Sequence, residues 1–423
     1  MGGPAVLVGL YVSDCVPSPE QRLQELAALL SAAGETPGEA FWQPARREGQ
    51  ARSAATWIGK GKVEEIAAHV EETEAGLAVF DAELTPAQIR NLEEALGCRV
   101  LDRSELILDI FAGRARTRSA VLQVELAQLE YTAPRLRGMW THLARQAGSS
   151  GGFVGSRGPG EKQIEIDRRI VSRRVARLKE EIATIAERRA RTVKTRQDFT
   201  VGLVGYTNAG KTTLLSALTQ AGVDGEDALF ATLDTLTRRW RLPDGTDVVL
   251  SDTVGFVRAL PHHLVASFRA TLEEAVHADL RLHIIDAAHP LALEQVRAVR
   301  GVLEELQCHP ARTQAVLNKV DLATAEALIG LRAECPDALE VSAVTGAGLG
   351  RLAEVVSERT RVGWIHVRCV ADAGDGRVRA FAHEHGRVLA ESWEDERWTA
   401  ELLFPRGRLE ALAALGATLT RDA

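Results

Sequence analysis

At 423 residues, 45% hydrophobic and 26% charged, the chain has ordinary globular composition and length enough for two to four domains, which excludes a wholly disordered or collagen-like protein. No stretch approaches about 18 uninterrupted apolar residues, and residues 1–10 lack the basic segment and cleavage pattern of a secretory signal, so a cytoplasmic setting is expected. The net charge of −7 alone argues against nucleic acid, yet residues 111–200 hold 19 Lys or Arg against 9 Asp or Glu, a local +10 that leaves −17 on the other 333 residues.

Residues 6–12 form a continuous apolar run that reads as a buried strand. Ser18-Pro19-Glu20-Gln21 then supplies a cap, a first-turn proline and a box-closing glutamine for a helix through Leu30. A helical pattern follows residues 56–62 to about Glu71, then a strand at 77–81, another helix and a strand at 99–102. This alternation predicts a small parallel α/β domain over 1–112. Lys60 and Lys62 read as a solvated turn as readily as a phosphate contact.

From Ser104 to Met139 the pattern is helical, with Leu122, Leu126 and Leu129 at three-to-four spacing, and Pro134 predicts a kink or a stop. The Gly/Ser-rich stretch 148–160, carrying Phe153 and Arg157, predicts a loop. Beyond it, Ile164, Val171, Val175, Leu178, Ile182 and Ile185 keep an apolar stripe beneath Arg168, Arg169, Arg173, Arg174, Arg188 and Arg189. An antiparallel helical hairpin over 113–198 is expected, with the loop at its tip. Residues 199–361 alternate strand and helix as a doubly wound sheet does, and 362–423 read as a small C-terminal α+β unit. Cys15, Cys98, Cys308, Cys335 and Cys369 are scattered with no CxxC pair, so they are expected to be buried free thiols. His262, His263, His383 and His385 lack a third ligand and read as surface residues.

The chemistry is concentrated between residues 205 and 344. Gly205-Tyr206-Thr207-Asn208-Ala209-Gly210-Lys211-Thr212 follows an apolar strand and opens a helix at Thr213. In that context it matches the loop that cradles phosphates: backbone amides turn inward, Lys211 bridges the terminal phosphates, and the Thr212 hydroxyl ligates magnesium. Asp252-Thr253-Val254-Gly255 ends a strand, where Asp252 can hold Mg2+ through water and the Gly255 amide can meet the last phosphate. In Asn318-Lys319-Val320-Asp321 the Asp321 carboxylate can accept both the N1 and 2-amino hydrogens of guanine, a donor pair that adenine lacks. Ser342-Ala343-Val344 would offer backbone amides to guanine O6. Four motifs in this order, roughly 40, 65 and 20 residues apart, point to a guanine-nucleotide site.

These motifs resemble those of the translation-factor-related GTPases. With Leu229 and the segment Phe230-Ala231-Thr232-Leu233-Asp234, Leu126-Ala127-Gln128-Leu129-Glu130-Tyr131, Pro134-Arg135-Leu136-Arg137-Gly138, the run from Gly155 to Glu161 around Arg157, and Phe256-Val257 before Leu260-Pro261, the resemblance is to the HflX family across nearly the whole chain. It implies a GTPase of the large ribosomal subunit, associated with splitting stalled or stress-damaged ribosomes. It also implies that Thr232 is the first-switch Mg2+ ligand. Thr235 stands where a proline is expected after Asp234, which leaves that backbone less rigid.

Phe256 occupies the position at which Ras-like enzymes place a water-orienting glutamine. One reading is slow hydrolysis until a ribosomal partner orders the switches; the other is that Phe256 simply packs under the loop. Asn208 stands where potassium-stimulated GTPases coordinate K+, although asparagine also suits the turn sterically.

The expectation is therefore a Mg2+-dependent enzyme converting GTP to GDP and phosphate, with Lys211, Thr232 and Gly255 at the reacting phosphate. Arg157, Arg168, Arg169, Arg173 and Arg174 are expected to meet ribosomal RNA. The partners are the large ribosomal subunit and its RNA, with no DNA, at most peripheral membrane contact and a monomeric chain. The rival readings are an RNA-remodelling protein with GTP as a structural ligand and a membrane-associated regulatory GTPase.

Overall fold

The computed structural model describes residues 3–13, 15–47, 49–147, 169–185, 199–219, 236–253, 255–258, 278–361, 364–394 and 396–421, without side chains at 134–147, 406 and 421. The chain divides into two compact units, Met1–Arg241 with Asp247–Leu349, and Leu242–Thr246 with Gly350–Ala423.

The first unit opens with β1 (Ala5–Tyr11), buried along its whole length. A strand covered on both faces must be apolar throughout. Ala5, Leu7 and Tyr11 join one core with Leu26 and Leu30 of α1 (Pro19–Ala32), while Val6, Val8 and Leu10 join another with Ile58, Ile66 and Phe80. Helix α1 starts at the expected capping box of Ser18 and Gln21. After β2 (Pro37–Pro44) come α2 (Lys60–Thr73), β3 (Leu77–Phe80), α3 (Pro86–Leu96) and β4 (Arg99–Asp102). The parallel sheet runs β2-β1-β3-β4. Strand β2 escapes the sequence reading because Pro37-Gly38-Glu39-Ala40-Phe41-Trp42-Gln43-Pro44 is a half-exposed edge with no apolar run.

The helical segment expected from Ser104 is two helices, α4 (Arg103–Arg114) and α5 (Arg118–Ala147). Thr117 separates them, its hydroxyl accepting the Ala120 amide as a fresh cap. Pro134 does not stop the chain, because α5 runs through it for 30 residues. Helix α6 (169–185) packs on α5 through Leu122, Leu126 and Leu178, with Leu129, Val175, Ile182 and Ile185 around them. These members of the stripes read from the sequence are therefore the seam between the two helices, whereas Val171 is not part of it and Ile164 lies outside the described residues. The Gly/Ser-rich stretch 148–160 lies outside the described residues.

Next come β5 (Thr200–Gly205), α7 (Lys211–Thr219), β6 (Leu236–Arg241), β7 (Asp247–Asp252), β8 (Leu280–Asp286), α8 (Ala292–Glu305), β9 (Thr313–Asn318), α9 (Ala325–Glu334) and β10 (Leu339–Glu340). The sheet order is β10-β9-β8-β5-β7-β6, parallel except for β6 on β7. The carboxyl ends of β5, β7 and β9 carry the three strand-linked nucleotide motifs, so a doubly wound sheet gathers them at one edge.

In the second unit, Asp244 accepts from Ser357 Oγ at 2.5 Å and from Arg361 at 2.8 Å. Ser357 belongs to α10 (Leu349–Thr360). The antiparallel sheet order is β12-β13-β11-β14, built from β11 (Trp364–Asp372), β12 (Arg387–Glu394), β13 (Arg397–Pro405) and β14 (Thr418–Arg421). Helices Gly376–His385 and Leu409–Ala414 cover it around Trp398, Leu402 and Phe404, as the α+β expectation requires. Cys335 and Cys369 are buried thiols, whereas Cys15, Cys98 and Cys308 are only half-buried.

Candidate nucleotide site

Strand β5 delivers the phosphate-loop sequence to the sheet edge and α7 starts at Lys211. The turn between them needs two left-handed residues, Asn208 at φ +61° and Gly210 at φ +87°. Asparagine tolerates that region. Gly210 is required for a second reason: a Cβ there would run into the Asn318 amide. Asn318 in turn ties two motifs together, its Nδ2 donating to Ala209 O at 2.9 Å and its Oδ1 accepting from Ala343 N at 3.1 Å. Lys319 donates to Asn208 O at 2.9 Å and pairs with Asp286 at 2.7 Å. The motifs spread over more than a hundred residues of sequence thus form one cluster.

Two of the three amides expected to meet guanine O6 are engaged within the protein. Ser342 donates to Ala347 O and Ala343 to Asn318. Val344 is 81% exposed, and Asp321 is exposed beside the buried Asn318. Thr213 lies in the first turn of α7, and Val320 donates its amide to Val341 O.

At the phosphate end, Lys211 is buried and donates to Gly205 O at 3.1 Å and Tyr206 O at 2.9 Å. Burial pushes its ammonium down to about 8, against the opposing charge of Asp252. The Thr212 hydroxyl donates to Asp252 Oδ2 at 2.6 Å. An alcohol and a fully buried carboxylate side by side are hard oxygen donors of the kind Mg2+ takes, so the residues fit that ion. Thr253 anchors the strand end by donating to Leu203 O at 2.6 Å. Phe256 then pairs with the phosphate loop: its amide donates to Gly205 O at 3.0 Å and its carbonyl accepts from Thr207 N at 2.7 Å. Gly255 is held so near that an added Cβ would lie 2.7 Å from Thr207 Cγ2 and 3.1 Å from Lys211 Nζ.

Phe256 is 4% exposed, in a core shared with Tyr206, Val257, α4 and α5. Beside that core lies an ionic cluster that no sequence pattern signals. Asp81 at the end of β3 accepts from Tyr11 at 2.6 Å, Arg103 at 2.5 Å and Arg258 at 3.1 Å. Glu25 of α1 accepts from Arg103 at 2.9 Å, Tyr206 at 2.7 Å and Arg258 at 3.2 Å. Tyr206 also accepts the Arg258 amide at 2.7 Å. Burial alone would raise both carboxyls, but the charges of Arg103 and Arg258 outweigh it and hold Asp81 and Glu25 below the ordinary carboxylate range. Tyr206 of the phosphate loop and Arg258, three residues past Gly255, are thereby bound to the first α/β module. No motif announces this, because its six members are short-range neighbours only after folding.

Phe230, Ala231, Thr232, Leu233, Asp234, Val254, Arg157 and Arg168 lie outside the described residues. Of the remaining hairpin arginines, Arg169 and Arg173 are on an exposed face, whereas Arg174 makes a two-pronged pair with Glu125 of α5 at 2.7 and 2.8 Å. Among the described residues no group of three or more His, Cys, Asp or Glu can hold a metal, and no helix is long and apolar enough to cross a membrane.

Residues 20–112 match the family described as GTP-binding GTPase N-terminal, 114–196 the GTP-binding GTPase middle region, and 200–319 the 50S ribosome-binding GTPase family. The GTPase HflX of Escherichia coli (strain K12) is 46% identical over 406 residues, 95% of this chain and 93% of that one. The GTPase HflX of Alkalihalophilus pseudofirmus is 40% identical over 395 residues, 93% and 91% of the two chains. A solved GTP-binding protein from Sulfolobus solfataricus in complex with GDP is 23% identical, with a TM-score of 0.43 over 84% of this chain and 99% of that one. With a relative of this identity spanning nearly its whole length, the chain belongs to the HflX family of GTPases.

Proposed function

We propose that this GTP-hydrolysing enzyme works on the large ribosomal subunit, binding its RNA through the basic hairpin and separating stalled ribosomes under stress, in the cytoplasm. The observation that carries the reading is the joining of Asn318, Ala209 and Ala343, which brings three nucleotide motifs to one sheet edge of the same compact unit as the hairpin. The match of residues 200–319 to a family described as 50S ribosome-binding supports the choice of partner.

In this reading GTP lies across the phosphate loop from Gly205 to Thr213, with Asp321 and Val344 at the guanine. Thr212 and Thr232, with Asp252 acting through water, would hold Mg2+, which when bound would offset charge on the nucleotide phosphates. Lys211 exchanges its two backbone carbonyls for phosphate oxygens, and the Gly255 amide meets the γ-phosphate. Asn208, left-handed at the loop's crest, is the residue for K+ if the cation contributes. Water attacks the γ-phosphorus and the bridging oxygen leaves on GDP. Phe256 cannot orient that water and is held in the core, so hydrolysis by the isolated chain is slow.

The test is GTP hydrolysis by the full chain in potassium buffer, with ATP as control, with and without purified large subunits. Strong stimulation is expected. Tight GTP binding with no stimulation would overturn the ribosomal half of the reading and favour an RNA-remodelling or membrane role.

A further inference from the structure

Thr207 is 6% exposed, and its hydroxyl has no hydrogen-bond partner among the described residues. Its backbone is already fixed by the bond from Thr207 N to Phe256 O, and its methyl faces Gly255. A hydroxyl that merely filled this space would be a poor choice, since an isosteric valine would pack equally well without burying an unsatisfied polar atom. The location decides what the hydroxyl is for. The Thr207 methyl and Cα and Lys211 Nζ all crowd the point from which a Gly255 side chain would project, so the residue that carries the orphan hydroxyl lies where the phosphate loop meets Gly255.

We propose that the Thr207 hydroxyl is a catalytic group of the GTPase reaction, accepting a hydrogen bond from the attacking water and donating its own hydrogen to a γ-phosphate oxygen. The assignment rests on the nucleotide site proposed above. Bridging water and phosphate in this way aligns the attack, a task for which Phe256 has no polar atom. The water oxygen bonds to the γ-phosphorus, the bond from that phosphorus to the β,γ-bridging oxygen breaks, and the bridging oxygen leaves with its electron pair on GDP. The water's surplus proton passes to the phosphate product or to solvent. The hydroxyl emerges unchanged.

The experiment compares Thr207→Val, Thr207→Ser and Lys211→Ala in the full chain, by single-turnover hydrolysis at saturating GTP and by GDP and GTP affinity with magnesium present. Thr207→Val should slow hydrolysis by about 10- to 100-fold while leaving GDP affinity, which involves no γ-phosphate, nearly unchanged and lowering GTP affinity by less than it lowers the rate. Thr207→Ser should run at least about tenfold faster than Thr207→Val, because it restores the hydroxyl and not the methyl. A thermal melt of nucleotide-free Thr207→Val should match or exceed that of the parent, since the variant removes an orphaned polar atom. Hydrolysis by Thr207→Val at the parent rate, or a loss of affinity as large as the loss of rate, overturns the assignment. If Lys211→Ala also still binds GTP, the site reading itself has failed. If Lys211→Ala binds none and Thr207→Val hydrolyses normally, only the role of Thr207 has failed.

Discussion

At the scale of single residues, Lys211 carries a consequence of being buried. Its ammonium titrates at about 8 in the nucleotide-free protein, and phosphate oxygens around it would favour the charged form and raise that value. Below pH 8 the lysine is already protonated and binding GTP takes up no proton here. Above pH 8 the free protein holds the amine neutral, so binding takes up a proton and affinity falls as pH rises. Calorimetry in two buffers of different ionisation enthalpy should show proton uptake near zero at pH 7 and approaching one per GTP at pH 9. Equal uptake at both values would mean that Lys211 does not meet the phosphates. The lysine's proposed role as a phosphate ligand is legible in the sequence because eight consecutive residues write the loop. The neighbouring Thr207 hydroxyl was read only as part of that loop, since being orphaned is a property of the folded surroundings.

At the scale of elements, the ionic cluster fastens α1, β3 and α4 to the ends of β5 and β7. Arg103 and Asp81 are nearly inaccessible, with side chains 5% and 3% exposed. Removing Arg103 would leave two buried carboxylates to share the single guanidinium of Arg258, so Arg103→Ala should cost about 3–5 kcal/mol. Arg258 is more exposed, and its pairing with Glu25 is best read by a cycle of Glu25→Gln, Arg258→Met and the double variant. The expected coupling is about 0.5–3 kcal/mol in urea unfolding. Additive losses would show the pair to be incidental. The pH dependence follows from the sign of the shifts. Asp81 and Glu25 are held below their ordinary values, so their stabilisation is complete above about pH 5, beyond both ordinary values, and is lost as pH falls through the folded-state values. The double variant Asp81→Asn, Glu25→Gln should flatten that acid limb. Element boundaries were legible where one chemical rule dominated, as with the capping box of α1 or the apolar run of β1. They were hidden where context outweighed propensity: β2 is an edge strand bounded by prolines, and α5 continues through Pro134.

At the scale of the whole molecule, an excess of +10 on residues 111–200 within a chain of net −7 would make the proposed association with RNA a matter of counterion release, and therefore of salt. The sequence showed that excess but not which arginines are available, because the stripe above an apolar seam includes groups that serve the seam. Arg174 is one of these: its guanidinium is bound to Glu125 across the hairpin. Arg173, one residue earlier, is exposed. On the proposed reading the two should behave differently when binding to large subunits is measured over a range of potassium chloride concentrations. Arg173→Ala should weaken binding and reduce the slope of log affinity against log salt by about one unit, as loss of one phosphate contact does. Arg174→Ala should leave that slope nearly unchanged and instead lower the melting temperature slightly, since a half-exposed pair contributes about 0–1 kcal/mol. A slope that is shallow in the parent and unmoved by either variant would show that the hairpin's charge serves solubility and that the subunit is recognised elsewhere.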